Sequence, residues 1–483
     1  MIIPPVAVTD RFAALSIVGL VLLVYGWFFQ GDGWAHHAHY STIRSLVERG
    51  TFEITPFAAL TGDVAVVDGR IYSNKPPGAA LIGAPIYWLV SSLERFVGLP
   101  PNDPAVDRLN QAILTLWLSS LPGAATAGMI CLWFRRLGSS VRSAARLALA
   151  FAFGSIVFPF SGTIFNHVLV MALLLGAWLL MTAPTPTPAR TVGASLLLGL
   201  ATISEYLAAP LAVILIAGGF WVHRSWRRAA MLAAGPVLAA MGLLAYHQQH
   251  FGGPLIPSYA HELRIDRELA QGDPRFNWPD WRRLYWITWH RMRGLFYCSP
   301  IFALALLAPL LARRKPDALE ATALTVIGFY LLFYLTYASW LGGHGVGPRF
   351  AIPALPFLLL FVRRPAERFP RIAALLVALS VANMLAVTAV QTDFTGNEAG
   401  VPQHWDPVGV SMLRLLNGQV ALSPNSYNLG LLLGLRGAWS VIPALGLILV
   451  AFGCTFRIAE TAPPGEGVEL RNPALERSTR PVD

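Results

Sequence analysis

Apolar residues run in blocks of membrane-spanning length along almost the whole chain. The blocks fall near 12–29, 110–133, 143–160, 164–182, 191–205, 207–222, 229–247, 297–312, 320–340, 350–362, 371–390 and 436–456. Runs of ~20 apolar residues match transmembrane helices, whereas the strands of a membrane barrel alternate over about ten. Within a bilayer each backbone polar group must be satisfied inside its own segment, which makes helix the conformation for such runs. The pattern predicts an all-α polytopic membrane protein with about twelve spans.

Composition agrees, since 55% of the 483 residues are hydrophobic and 13% are charged, against about 25% charged in a soluble protein. The formal charge of +10 does not point to nucleic acid, because the arginines sit in short clusters between apolar runs. These clusters are Arg135, Arg136, Arg142 and Arg146; Arg190; Arg224, Arg227 and Arg228; Arg313, Arg314 and Lys315; and Arg363, Arg364, Arg368 and Arg371. The positive-inside rule makes their loops cytoplasmic. The other connections face the opposite compartment: 30–106, "FSGTIFNH", "ISEYLA", 248–296, "WLGGHGVGPRF" and 391–435. Ten of the eleven histidines fall on that outer side. Residues 1–456 read as one membrane domain, and 457–483 as a disordered cytoplasmic tail. The first block lacks a basic leader and reads as a retained span. Cys131, Cys298 and Cys454 form no disulfide or zinc pattern.

The first outer loop has internal order. In "WAHHAHYSTIRSLVERG", Ile43, Leu46 and Val47 recur at helical spacing and Gly50 follows as a C-cap, predicting an amphipathic helix on the membrane surface. "DVAVVDGRIYS" gives two β-prone runs around Asp68-Gly69, a hairpin signal. Lys75-Pro76-Pro77 then leads into an apolar helix from Gly78 to about Val97. If that helix spanned, the sidedness of everything after it would flip, and a thirteen-span arrangement is the alternative. Pro76, Pro77 and Pro85 favour a helix lying at the interface.

This arrangement resembles the integral-membrane glycosyltransferases of the GT-C class, particularly bacterial relatives of protein O-mannosyltransferases and aminoarabinose transferases. Four stretches carry the resemblance: Asp32 followed by the 34–49 helix and "YSNKPPG" at Tyr72 to Gly78; "GGHGVGPRFAIPALPFLLL" at Gly342 to Leu360; "FNHV" at 165–168; and "SEYLA" at 204–208. It implies a GT-C fold with interfacial helices, and inverting transfer of a sugar from a polyprenyl-phosphate donor to a lipid, glycan or protein acceptor on the extracytoplasmic face. For a bacterium that face is the periplasmic side of the inner membrane.

Such a reaction needs one carboxylate to take the acceptor's proton and cations to hold a phosphate at headgroup depth. The resemblance makes Asp32 the general base; otherwise it is a solvated loop aspartate. Relatives often carry a second adjacent acid, absent from "GDGWAHH", so Asp32 works alone or with His36 or His37. Lys75 on its Pro-Pro joint and Arg349 in a glycine-rich loop fit the phosphate, with Tyr72 and Asn74 adding neutral hydrogen bonds. The alternatives are a snorkelling lysine and a span-flanking arginine. Glu205 pairs with a cation such as Arg349, assists at the site, or is structural, and His167 and His344 are further candidates. The spacing of His36, His37 and His39 is no standard zinc pattern, and no metal or other cofactor is expected. The alternative function is a lipid-linked sugar flippase or small-molecule transporter, although no inverted repeat is visible.

Overall fold

The computed structural model describes residues 8–100, 103–262, 275–312, 314–343, 345–392, 406–423 and 425–457. His344, most of the expected tail and the central part of the 391–435 loop lie outside them. The architecture is all-α with two small two-stranded sheets. A helix occupies each of the twelve expected blocks. Among the described residues, six helices are by themselves long and apolar enough to cross a membrane: Val8–Tyr25, Pro104–Arg136, Trp226–Phe251, Ala318–Thr336, Pro370–Val390 and Gly437–Phe456.

The remaining blocks are shorter or broken, for local reasons. Block 143–160 splits at Ser155 into Val141–Gly154 and Val157–Ser161. Pro300 and Pro309 remove backbone donors, and block 297–312 becomes a 3₁₀ run, Pro300–Leu307, followed by a single α turn.

Lipid supplies no hydrophobic drive between helices, so small residues and close packing hold them together. The helices Pro188–Ser204 and Trp226–Phe251 show this. A Cβ on Gly199 would stand 2.8 Å from the Gly235 carbonyl oxygen, and one on Gly235 would overlap the Ser195 backbone. Trp133, Phe134, Phe151, Phe153, Phe158 and Trp178 fill the buried centre.

The two ends of the bundle separate as the arginine clusters predict. At one end Arg135 Nε donates to Asp10 Oδ1 at 2.7 Å, and Arg363 Nη1 donates to Ser139 Oγ at 3.2 Å. At the other end lie the first loop, the 162–167 turn and the 204–207 turn. We label the first elements α1 (Val8–Tyr25), β1 (Phe28–Gln30), α2 (Trp34–Arg49), β2 (Val64–Val67), β3 (Arg70–Ser73) and α3 (Gly78–Phe96); a late strand, β4 (Ser426–Asn428), pairs antiparallel with β1.

The membrane role of α3 is decided by its contacts. Its start abuts Ser204. Near its far end Glu94 Oε2 accepts from Asn110 Nδ2 at 3.3 Å, early in the Pro104–Arg136 helix. Arg136 closes that helix 26 residues later, ~39 Å away at 1.5 Å per residue. Both ends of α3 therefore lie at the same end of the bundle, away from Arg136, and α3 does not cross it. Helix α2 ends at Gly50 as expected, with φ 66° and its N–H bonded to Leu46 O. Its surroundings differ from the expectation of a helix on the membrane surface: His36, His37, His39, Tyr40 and Ile43 are all buried, because the 53–60 segment, the hairpin and α3 close over it.

Candidate active site

A hairpin turn and the start of α3 position Lys75. Asp68 and Gly69 both take positive φ, 49° and 78°, which is the two-residue hairpin geometry that matches strand twist. The register then pairs Val64 with Ser73, so Asp63 stands opposite Asn74, and Asn74 N–H donates to Asp63 O at 3.1 Å. Lys75, one residue on, reaches the Asp63 carboxylate at 2.9 Å and lies 5.6 Å from the centre of the Tyr259 ring. Pro77 caps α3, and Gly78 lets that helix start against the backbone of Ile203 and Ser204, where a Cβ would be 2.6 Å from Ser204 N. This contact brings Glu205 into electrostatic reach of Lys75.

Asp63 was not anticipated, although the hairpin register alone places it beside Lys75. Burial pushes its carboxyl upward, but Lys75, and then Arg349, outweigh this and hold it below the usual range. The same field identifies Arg349 as a neighbour of the pair. Arg349 makes no ion pair among the described residues. Its Nε is buried without a hydrogen-bond partner, and the guanidinium lies 5.1 Å from the Phe165 ring and 5.8 Å from that of Phe350. Glycines make the space. Gly342 and Gly343 have φ of 64° and 82°, and a Cβ on Gly343 would come within 3.1 Å of Arg349 Nη2. Buried Arg293 braces this loop by donating to the carbonyls of Gly343 and Gly347.

Glu205 is held from another side. Asn166 Nδ2 donates to its Oε2 at 2.7 Å, and His167 Nδ1 lies 3.2 Å from the same oxygen. The expected pairing of Glu205 with Arg349 does not form; the carboxylate faces His167 and Asn166 because the 204–207 turn packs on the start of the Asn166–Met181 helix. His39, also unanticipated as a site residue, is buried among Lys75, Asp63, Glu205 and His167. Burial first, and Lys75 next, push its imidazole down to about 4, so it is neutral at pH 7.

Asp32 stands in a second group. Strand β4 pairs with β1 just before it, and Asn425 Nδ2 and Ser426 Oγ donate to its two carboxylate oxygens at 3.2 and 3.0 Å. Among the described residues no cation neutralises Asp32, and His37 is close enough to feel its charge. Thr61 Oγ1 donates to Trp34 O at 2.8 Å and so ties the Asp32 segment to the residues just before β2, where Asp63 lies.

Two candidates lie elsewhere. His36 Nδ1 accepts from Ile164 N–H at 3.1 Å, which places its proton on Nε2, 3.0 Å from Gln111 Oε1. Both ring nitrogens are thereby committed to structure. Tyr72 packs on the His250 and Phe251 rings, at 5.2 and 5.8 Å. Among the described residues no group of three His, Cys, Asp or Glu is arranged to hold a metal.

A groove of about 720 Å³ is lined mainly by apolar side chains, among them Pro348 and Ala351 from the Arg349 loop. Tyr334 and Pro348 form the end toward that loop, Leu324 and Leu331 line its length, and Glu320 with Arg364 mark the far end. From Tyr334 to Glu320 along one helix is ~21 Å, about two-thirds of a bilayer's hydrocarbon thickness.

The fold of the chain has counterparts among solved structures, whereas no family model and no curated protein matches the chain. Among solved structures it is similar to ArnT from Cupriavidus metallidurans bound to undecaprenyl phosphate, at 16% identity and a TM-score of 0.52, over 93% of this chain and 77% of that one. The apo state of the same protein matches at 16% identity and a TM-score of 0.47, over 91% and 76%.

Proposed function

We propose that the protein is an inverting glycosyltransferase that moves a sugar from a polyprenyl-phosphate donor to an acceptor on the extracytoplasmic face of the membrane. The observation that carries this reading is Arg349: a guanidinium without an ionic partner among the described residues, cradled by glycines, close to the Lys75–Asp63 pair, in a loop whose Pro348 and Ala351 line an apolar groove. A lipid phosphate supplies what that place lacks, with its chain along the groove. The positive-inside rule puts the site on the outer side.

In the reaction an acceptor hydroxyl oxygen bonds to the anomeric carbon as the bond from that carbon to the phosphate oxygen breaks. The electron pair leaves with the polyprenyl phosphate, whose developing charge faces Arg349 and Lys75. Asp32 takes the hydroxyl proton. It suits this role because its partners are neutral donors, whereas Asp63 is already occupied by Lys75. A single displacement inverts the anomeric centre.

The test is transfer from radiolabelled polyprenyl-phosphate sugars to membrane extract by wild type and Asp32→Asn, with donor binding measured for both. Loss of transfer with binding retained supports the reading. Equal transfer removes Asp32 from the mechanism. No transfer by either, with lipid moved between leaflets of liposomes, identifies a flippase.

A further inference from the structure

Polar atoms left without partners inside a protein cost roughly 1–3 kcal/mol each, so several around one point mark a ligand's place. Two such residues flank the Lys75–Asp63 pair. His39 is 1% exposed, and its Nε2 has no hydrogen-bond partner. Asn74 is 0% exposed; its amide nitrogen faces the Asp63 carboxylate and helps hold it ionised, while its Oδ1 has no hydrogen-bond partner.

The cations around them are already matched. Lys75 is neutralised by Asp63, and Arg349 is balanced by one phosphodiester. An acidic group on the sugar would stand buried without a cation, which is strongly unfavourable. The open His39 ring nitrogen and the Asn74 amide oxygen instead offer hydrogen bonds to hydroxyl groups.

Resting on the function proposed above, we infer that His39 and Asn74 read the hydroxyl groups of the donor's sugar, and that this sugar carries no acidic group. They are specificity residues, distinct from the phosphate-binding cations and from Asp32.

The test measures binding of purified full-length protein in nanodiscs to four lipids: polyprenyl phosphate without sugar, and polyprenyl phosphate carrying a neutral hexose, an amino sugar or a uronic acid. Wild type should prefer the neutral hexose at least tenfold over the uronic acid. His39→Ala, His39→Gln and Asn74→Leu are compared with it. One lost hydrogen bond is worth about 0.5–1.5 kcal/mol, or roughly three- to tenfold in affinity. His39→Ala should lose that much for the hexosyl lipid and stay within about twofold of wild type for the sugar-free lipid, whose binding also reports correct folding. Asn74→Leu, next to the phosphate-facing Lys75, should lose more for the hexosyl lipid than for the sugar-free one. His39→Gln, which keeps a donor and an acceptor, should recover part of the loss. Weakening by His39→Ala that is equal toward the sugar-free lipid, or preference of wild type for the uronic acid, overturns the assignment and leaves the transferase reading standing. Failure of wild type to bind any sugar-bearing lipid overturns both.

Discussion

Replacing Lys75 by Met keeps the length of the side chain and removes its charge, leaving Asp63 buried without its main counter-ion. At 2.9 Å and an effective dielectric of about 20, the gross attraction is ~6 kcal/mol. Desolvation of both groups offsets part of this, and removing one partner of a buried pair costs about 3–5 kcal/mol. Side-chain exposures of 12% for Lys75 and 16% for Asp63 place the expected loss toward the lower figure. The sign with pH follows from the depressed Asp63 carboxyl. In wild type the pair's contribution is complete above the ordinary carboxylate pKa of ~4 and is lost as pH falls through the lower folded value. In Lys75→Met burial raises that carboxyl instead, so acid neutralises it and the variant's deficit narrows between pH 7 and about pH 5. The assay is unfolding in detergent across this range for Lys75→Met, Asp63→Leu and the double variant, read as a double-mutant cycle. The double variant should regain most of the stability lost by Lys75→Met. If Lys75→Met is neutral, or its deficit is the same at every pH, the ion pair does not hold this corner of the site.

Asp32→Asn should lower the rate of sugar transfer by at least ~100-fold, the lower end for a missing general base, while binding of polyprenyl phosphate stays near wild type; a normal rate refutes the role. Arg349→Ala should weaken that lipid's binding by tenfold or more, since charged hydrogen bonds are worth about 1.5–3 kcal/mol, with Arg349→Lys intermediate because the forked geometry is lost; titration with the lipid in nanodiscs decides it. Gly343→Ala carries a left-handed backbone and crowds the guanidinium, so it should cost ~1 kcal/mol of stability and reduce lipid affinity as well, whereas Gly434→Ala, also at positive φ but with open space around it, should affect stability alone.

Much of this protein is determined by local pattern. Apolar block length sets the helices, arginine placement sets which ends gather, Asp68-Gly69 sets the hairpin, and Pro77-Gly78 sets the start of α3. All of these act through backbone conformation or transfer to lipid, which are properties of short segments. Even Asp63 is implied, because hairpin register is local. What the tertiary structure decided is the set of partners. Asn425 and Ser426 reach Asp32 across almost 400 residues of sequence through the β1–β4 pairing. His36 and His39 differ by three positions on one helix, yet one is locked between Ile164 and Gln111 and the other is left open beside Lys75. Glu205 turns to His167, not Arg349, because helix packing fixes the direction in which its carboxylate points. Residue type supplies a chemical capacity. Whether that capacity is satisfied internally or held ready for a ligand depends on which distant groups the fold brings within about 3 Å, a distance no local pattern encodes.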